Sequence, residues 1–562
     1  MAKKEWIKEI ILLAAILFLA GCASQKTPTG GPVDTTPPEI IEVQPADQTI
    51  NYKENKIKLK FSEYVEARTV LESIFISPNI DGKIEYNWSG TSLEIKLPDS
   101  LRANTTYTIT IGTDVEDVNN SNKMAQAYTF AFSTGDKIDK GKISGRVLDK
   151  ESSGIMIYSY KITGDTLNPS VTKPDYISQT GLNGTYRLSG LADGTYRVFA
   201  VRDEYKDYLY NPTQDAFGVP YSDITLDTAN QEVNGLNFFM QLSDTTSPRI
   251  QNVTMTDQHH MLIEFGESID SSTITNKNFY IYDSLNSEKI EVNYFYKGKT
   301  KAKNFLVSFK DSIKNEESVQ LIAENFSDPS GNITQIEKTP VVVNDKPDTT
   351  YPANYGFVAQ YPDSTVDFVN GWVKLSYEDA CDIENVAPKA ITVLDPGKKS
   401  IEYKIEKIDD ASFKVVFERL KAYNKYTMKV DQKYFVDAAG NKLDSVYTYY
   451  FSSVNTLEFS GLSGAITPPE SVDGTMMVLI ENLPDKTITQ KQAVTSNTFN
   501  LERVVPGQYF LWSFIDRNNN GEYDKGNIYP FEPSERFIFY SSDSLNLRPR
   551  WPVGDADLNY GK

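Results

Sequence analysis

Short stretches in which apolar and polar residues alternate recur along the whole chain. Ile57-Lys58-Leu59-Lys60-Phe61 alternates strictly, and the pattern returns in Leu262-Ile263-Glu264-Phe265 and in Val373-Lys374-Leu375-Ser376-Tyr377. A period of two places one face of an extended strand in a core and the other face in solvent. Clusters of Gly, Asn, Asp and Pro, which suit turns, separate these stretches. The pattern therefore predicts an all-β protein.

The linker ahead of each of these strands is repeated as well. Its three copies are Asp34-Thr35-Thr36-Pro37-Pro38, Asp244-Thr245-Thr246-Ser247-Pro248 and Asp348-Thr349-Thr350-Tyr351-Pro352. The strand that follows ends at an acidic residue, which is Glu63, Glu267 or Glu378. A polar turn that begins with aspartate precedes the last strand, as in Asp437-Ala438-Ala439-Gly440-Asn441. Repeats of about 100 residues with short strands between turns indicate β-sandwiches.

These marks together resemble the bacterial Ig-like domains of the S-layer-protein type. The resemblance covers residues 34–136, 244–345 and 346–455. The middle copy departs from the pattern, because Phe265-Gly266-Glu267 stands where the first copy has Phe-Ser-Glu, and its middle part is longer and more polar. The resemblance implies three Ig-like sandwiches.

Two further segments share a different pattern. They open with Ile143-Ser144-Gly145 and Leu462-Ser463-Gly464, and each continues through a Gly-x-Tyr step into an alternating strand, at Gly194-Thr195-Tyr196 and Gly507-Gln508-Tyr509. This pattern resembles the carboxypeptidase-regulatory-like, transthyretin-type β-sandwich over residues 137–243 and 456–562. With the Ig-like copies, it implies a tandem array of about five β-sandwich modules.

The amino-terminal end has a different character. Lys3 and Lys4 precede an apolar run that is too short to span a bilayer as a helix and is typical of a signal peptide. Leu19-Ala20-Gly21-Cys22 at the end of this run resembles the bacterial lipobox, which is cut just before the cysteine. The resemblance implies that residues 1–21 are a signal peptide and that Cys22 carries acyl chains such as palmitate. Residues 22–33, rich in Ser, Thr, Pro and Gly, would then form a lipidated tether.

Composition narrows the range of functions. The formal net charge is −19 and no basic cluster occurs, which argues against nucleic acid as a partner. His259 and His260 are the only histidines, and Cys381 is the only cysteine besides Cys22. These few residues argue against a His-based triad, a zinc site and an intramolecular disulfide. We expect Cys381 to be a buried apolar residue. The sequence carries no nucleophile elbow, zinc-protease motif or phosphate-binding glycine loop, and we predict no catalytic residues and no enzyme activity.

One loop has the composition of a calcium site. It runs from Asp516 to Asp524 and follows the pattern Asp-x-Asn-x-Asn-Gly, in which oxygens converge on one cation and the glycine permits a sharp turn. The residues placed to supply oxygens are Asp516, Asn518, Asn520, Glu522 through its backbone carbonyl, and Asp524. Asn527 stands where an EF-hand has its bidentate glutamate. The alternative is a plain hairpin turn with solvated carboxylates. The Asp-x-x-Gly-Asn turns of the Ig-like segments are a second candidate near the domain junctions, and we interpret them as plain Asx-type turns. Calcium is thus the one cofactor that the sequence suggests.

Aspartate followed by Ser or Thr and then by an apolar residue or Thr occurs more often than random placement gives. The pattern resembles the O-glycosylation sequon of exported Bacteroidota proteins, in which the Ser or Thr takes the glycan. The acceptors that this resemblance implies are Thr35, Thr245, Thr349, Ser364 and Ser445. The alternative is that these dipeptides form turns into strands.

We interpret the chain as a non-catalytic cell-envelope lipoprotein, a structural or binding scaffold anchored in the outer membrane through its lipid. Two alternatives stay open: an accessory subunit of an outer-membrane assembly or transport complex that contacts a barrel protein, and a polysaccharide-binding or degrading lipoprotein that contacts a surface glycan. Ala23 is not the aspartate that retains many lipoproteins at the inner membrane, and no acidic cluster follows it. Whether the protein faces the periplasm or the cell surface is therefore left open.

Overall fold

The structure, a computed structural model, describes residues 33–561 except 79, 81, 99–100, 165–166, 314–318, 484–485 and 541–543. Strands make up 47% of it and helices 4%, which confirms the prediction of an all-β fold built of β-sandwiches. The chain divides into two compact units. The first comprises residues up to 167, 173–200 and 223–236, and the second comprises residues 168–172, 201–222 and 237–562. No helix among the described residues is long and apolar enough to cross a membrane.

We refer to the five predicted segments as modules one to five. Module one, in the first unit, contains β1 (Ile40–Gln44), β2 (Lys56–Phe61), α1 (Ala67–Glu72), β3 (Ile74–Ser77), β4 (Glu85–Ser89), β5 (Ser92–Lys96), β6 (Thr106–Ile111) and β7 (Tyr128–Ser133). One sheet has the order β1-β2-β5-β4 and the other the order β3-β6-β7. Ile57, Leu59 and Phe61 of β2 are at most 1% exposed. They pack in the module's core with residues of the second sheet, as the alternation of β2 predicts.

Module two contributes to both units. Its strands are β8 (Gly141–Leu148), β9 (Met156–Lys161), β10 (Tyr176–Gln179), β11 (Thr185–Leu191), β12 (Gly194–Val201), β13 (Phe217–Gly218), β14 (Ile224–Leu226), β15 (Glu232–Val233) and β16 (Phe238–Phe239). In the first unit, β10, β9, β12 and β14 are neighbours in one sheet, and β11-β8-β15 forms another. β13 and β16 belong to the second unit.

Modules three and four each form two four-stranded sheets in the second unit. Module three contains β17 (Ile250–Asp257), β18 (His260–Phe265), the 3-10 helix Asn276–Asn278, β19 (Phe279–Asp283), β20 (Glu288–Glu291), β21 (Tyr294–Tyr296), β22 (Asn304–Ser308), β23 (Val319–Ser327) and β24 (Ile333–Pro340). Its sheet orders are β17-β18-β22-β21 and β20-β19-β23-β24.

Module four repeats the first sheet of module three, differs in the edge strand of the second sheet and has an α-helix. It contains β25 (Asn354–Ala359), β26 (Thr365–Val366), β27 (Val369–Tyr377), α2 (Ile383–Ala390), β28 (Ile391–Leu394), β29 (Lys404–Asp409), β30 (Ser412–Arg419), β31 (Lys425–Asp431), the 3-10 helix Gln432–Tyr434 and β32 (Val446–Ser453). Its sheet orders are β25-β27-β30-β29 and β26-β32-β31-β28.

Module five ends the chain with a five-stranded and a three-stranded sheet. After the 3-10 helix Thr456–Glu458 come β33 (Ser460–Thr467), β34 (Thr475–Asn482), β35 (Ile488–Val494), β36 (Thr498–Val504), β37 (Gly507–Asp516), β38 (Phe537–Phe539), β39 (Leu545–Leu547) and β40 (Leu558–Asn559). The larger sheet has the order β35-β34-β37-β38, with β39 also paired to β37, and the smaller has the order β36-β33-β40.

The Ser-Gly motif shared by modules two and five has a steric reason. A Cβ atom on Gly145 would lie 1.9 Å from the carbonyl oxygen of Leu236, and a Cβ on Gly464 would lie 2.5 Å from that of Ala556. In each module a later segment therefore passes so close to the first strand that only glycine fits there.

The Gly-x-Tyr steps in these two modules form the same hydrogen bond. The hydroxyl of Tyr196 donates to the carbonyl oxygen of Ala192 at 2.7 Å, and that of Tyr509 donates to Val505 at 2.7 Å. Each tyrosine thus closes the turn four residues before it, and its ring is buried. The sequence motif reflects a local contact, which is why two short segments carry it independently.

Leu59→Ala should destabilise module one by about 2–5 kcal/mol, because it leaves a cavity between two packed sheets. Lys60→Ala, the matched control, changes the next residue of β2 on its exposed face and should alter stability by less than about 0.5 kcal/mol. Hydrogen exchange of peptides from β6 in the full chain measures the difference locally. Similar exchange in the two variants would contradict the assigned register.

Candidate functional site

The structure reaches only some of the predicted site residues. Cys22 lies outside the described residues. Among the predicted glycan acceptors, Thr35, Thr245, Thr349 and Ser364 are exposed, whereas Ser445 is half-buried and its Oγ is enclosed without a hydrogen-bond partner. Exposure leaves the first four hydroxyls accessible to a modifying enzyme. Their glycosylation stays a prediction.

The predicted calcium loop begins where β37 ends. Asp516 is 2% exposed, and its two carboxylate oxygens accept the backbone N–H groups of Asn520 at 3.2 Å and Gly521 at 2.7 Å. Gly521 has a φ of +77°, which side chains rarely permit. Asn518 donates through Nδ2 to Asp524 at 2.6 Å. The loop brings these residues together, and their hydrogen bonds close a turn.

Two glutamates near this loop have different roles. Glu522 is exposed and pairs with Lys491 at 2.7 Å. Glu535 is 2% exposed and accepts the N–H groups of Arg517 at 2.6 Å and Asp524 at 3.2 Å. Burial raises the pKa of Glu535, although these two N–H groups act to lower it. The described carboxylates that gather in threes around one point lie elsewhere, and calcium binding by this loop stays a prediction.

Modules one, three and four instead each gather three carboxylates at the linker. One comes from the repeated linker, one lies two residues after the aromatic residue that ends the second core strand, and one begins the polar turn. An oxygen of each lies within 4.8 Å of the others in these linker clusters, which are Asp34, Glu63 and Asp117; Asp244, Glu267 and Asp328; Asp348, Asp379 and Asp437. Sequence reasoning found the three marks separately and named the turn as a calcium candidate, but it did not find that the three carboxylates converge. The recurrence of these three marks in all three copies was the sequence signal that could have revealed the clusters.

The third cluster corrects one detail of the repeat. Glu378 is the counterpart expected from the sequence, yet Asp379 occupies the position equivalent to Glu63 and Glu267. Glu378 pairs with Lys299 of module three instead. Successive residues of an extended chain point to opposite sides, so a shift of one residue decides which carboxylate enters the cluster.

An asparagine connects turn and linker in all three modules. Asn122 donates through Nδ2 to the carbonyl oxygen of Asp34 at 3.1 Å, and Asn332 donates to that of Asp244 at 2.9 Å. Asn441 reaches the carboxylate of Asp348 at 3.0 Å. The linker between modules is thereby held against the turn, which is the physical role of the Asn that recurs in this turn.

Charge accumulates at the first two clusters. Burial raises the pKa of Glu63, and the negative charges of Asp117 and Asp34 raise it further. Burial likewise raises the pKa of Glu267, together with the charges of Asp244 and Asp328. Burial is the larger cause of both pKa shifts, and the charges add to it because the carboxylates lie close enough to repel one another.

The third cluster includes a histidine from module three. β17 ends at Asp257 and β18 begins at His260, which is 5% exposed. His260 bonds through Nδ1 to Asp257 at 2.9 Å and through Nε2 to Asp379 at 3.0 Å, and the hydroxyl of Tyr296 donates to Asp379 at 3.0 Å. Burial alone would lower the pKa of His260, but the bonds to both carboxylates outweigh it and raise the pKa to about 10. His260 is therefore a buried cation at neutral pH.

Neither histidine is placed as a general base. Both ring nitrogens of His260 are occupied, and His259 is 9% exposed with Nδ1 bonded to the carbonyl oxygen of Phe309 at 3.0 Å. Cys381 is 1% exposed, as expected, and burial raises the pKa of its thiol. These groups are positioned for packing and for binding neighbouring residues.

A known family model matches module one. Residues 34–134 match the family model described as a bacterial Ig-like domain, which confirms the Ig-like prediction for this segment. No curated protein sequence matches the chain.

Solved structures that resemble the chain do so weakly. The N-terminal part of the bacterial S-layer protein SbsC is 13% identical over 37% of this chain and 45% of its own, with a TM-score of 0.17. Domains 1–6 of SbsC are 10% identical over 86% and 66%, with a TM-score of 0.15. The native α2-macroglobulin of E. coli is 8% identical over 90% and 42%, with a TM-score of 0.15. The chain thus spans less than half of the first of these structures, and such TM-scores carry no argument about function.

Asp516→Ala should destabilise module five by about 1–3 kcal/mol, because the buried Asp516 carboxylate accepts the two backbone N–H groups that close the turn. Glu522→Ala in the same loop removes only an exposed ion pair and should cost at most about 1 kcal/mol. Hydrogen exchange of peptides from β34 and β37 measures both effects. Equal effects of the two substitutions would show that Asp516 does not close the turn.

Proposed function

We propose that this chain is a non-catalytic cell-envelope lipoprotein, held in the outer membrane by lipid on Cys22, whose β-sandwich modules act as a structural or binding scaffold. The observation that carries the proposal is where buried polar and aromatic side chains lie in the second unit. Several of them lie where one module meets another, and they fix these modules to one another. A scaffold needs such fixed junctions because they hold the surfaces of neighbouring modules in constant relative positions.

The junction of modules four and five is built around one arginine. Arg503 of module five pairs with Asp367, which is 5% exposed, and its guanidinium lies 4.8 Å from the ring centre of Phe368. A guanidinium that binds a carboxylate and covers an aromatic face fixes both distance and orientation.

Modules three and four share part of a core. Tyr296 of module three is 1% exposed and packs with the core residues of module four. Beside it, the N–H of Phe295 donates to Asp410 at 2.7 Å. Residues just before module three contact module five in a similar way: Phe239 stacks on Phe537 with ring centres 4.3 Å apart, and Gln241 donates through Nε2 to the carbonyl oxygen of Gly526 at 2.8 Å.

The positions of the tryptophans favour the scaffold role over the glycan-binding alternative. Carbohydrate recognition needs aromatic faces open to solvent. Trp551 is 73% exposed, but Trp512 is buried, Trp372 is covered by Lys414 and Trp88 stacks on Phe61. The tryptophans of the described residues thus serve mainly to pack strands, and the scaffold role is the one that we propose.

Cys22→Ser should abolish membrane anchoring, because the hydroxyl cannot take the place of the acylated thiol. We expect the wild-type chain to incorporate labelled palmitate and to resist a carbonate wash of membranes. The variant should incorporate none, and should be released or accumulate at precursor size. Cys381→Ala is the matched control: it removes the other thiol, which is buried, and should leave labelling and fractionation unchanged.

Palmitate incorporation by Cys22→Ser would contradict the proposal, as would carbonate-resistant membrane association of that variant at mature size.

A further inference from the structure

The third linker cluster encloses more negative charge than its neighbours neutralise. Asp379 is 1% exposed, Asp437 is 6% exposed, and the side chain of Asp348 is 0% exposed. An oxygen of each lies within 4.8 Å of the other two. Asp257 adds a fourth carboxylate on the other side of His260, which supplies a single positive charge. Carboxylates taken out of water in this way need a countercharge.

Two oxygens of this cluster have no hydrogen-bond partner. They are Oδ2 of Asp379 and Oδ2 of Asp437, both enclosed. The other oxygen of each carboxylate is held firmly: Oδ1 of Asp379 accepts bonds from His260, Tyr296 and the N–H of Ala380, and Oδ1 of Asp437 accepts the N–H of Asn441 at 2.7 Å. In each of these two carboxylates, hydrogen bonds hold one oxygen, whereas the other oxygen lies in the interior without a partner. A bound ligand would satisfy such a buried oxygen.

The corresponding aspartates in the other two clusters differ in this respect. Asp117 uses one oxygen for the N–H of Asn120 and the other for Nδ2 of Asn122. Asp328 binds the N–H and the Nδ2 of Asn332 in the same manner. The unsatisfied oxygens thus distinguish the cluster between modules three and four.

We propose that Asp348, Asp379 and Asp437 bind a calcium ion at the junction of modules three and four. Calcium takes carboxylate oxygens at about 2.3–2.6 Å, so two oxygens on one ion are at most about 4.6–5.2 Å apart. The oxygens of this cluster, all within 4.8 Å of one another, meet that limit. The donor set consists of oxygens alone, because both nitrogens of His260 are engaged. Such hard ligands suit calcium better than zinc or copper.

The electrostatics agree with this geometry. Burial raises the pKa of Asp437, and the charges of Asp379 and Asp348 raise it as well, although the hydrogen bonds from Asn441 act in the opposite direction. A divalent cation would remove this repulsion and would tie the linker, the end of β27 and the polar turn to one point. The inference goes beyond the scaffold function and does not depend on how the chain is anchored.

Calcium titration of the purified full-length chain and of Asp437→Asn tests the proposal. The substitution keeps Oδ1 as acceptor for Asn441 and replaces the vacant Oδ2 by an amide. We expect calorimetry to show at least one calcium site fewer in the variant, or a dissociation constant raised about tenfold or more at one site. In chelator the variant should melt at a higher temperature than the wild type, because repulsion is relieved. In millimolar calcium the order should reverse.

Asp215→Asn is the matched control, since Asp215 is 0% exposed, lies in the same unit and has both oxygens bound to backbone N–H groups. It should lower the melting temperature equally with and without calcium and leave calcium binding unchanged. Calcium held by the Asp516–Asp524 loop would be the same in wild type and Asp437→Asn, so the difference reports the junction alone. Identical calcium binding by these two chains, or no binding by the wild type, would overturn the proposal.

Discussion

Buried negative charge where modules three and four meet is the constraint on which the arrangement of these modules depends. Asp379 is enclosed, and a buried carboxylate persists only where donors or cations surround it. Module four supplies one donor to Asp379, the N–H of Ala380, whereas both side-chain donors, His260 and Tyr296, come from module three. Tyr296 also completes the apolar core of module four. Separating the two modules would therefore expose apolar surface and leave a buried charge without its partners.

Elsewhere in the described chain, hydrogen bonds from polar side chains hold turns and linkers in place. Asn122, Asn332 and Asn441 each join a turn to the linker that precedes the module. Tyr196 and Tyr509 close turns through their hydroxyls. With Cys381 buried as a thiol, these contacts and the sandwich cores provide the order that disulfides supply in many small exported domains.

Local patterns predicted the parts of the structure that depend on neighbouring residues. The alternation around Leu59, the Gly-x-Tyr step at Tyr509 and the turn at Asp516 involve residues close in sequence, and the all-β fold follows from many such stretches. The linker clusters could not be predicted in this way, because each joins three distant segments. Asp379 rather than Glu378 enters the third cluster because of which side of the chain faces inward. The role of His260 depends on how modules three and four pack. Both are properties of tertiary structure.

The most direct test is anomalous X-ray diffraction from crystals of the protein grown in calcium, at a wavelength where calcium scatters anomalously. Our account predicts a peak between modules three and four, with oxygens of Asp348, Asp379 and Asp437 at about 2.3–2.6 Å from it. A map without a peak at this place, with the three carboxylates arranged as described, would contradict the claim that a metal ion balances the charge of this junction.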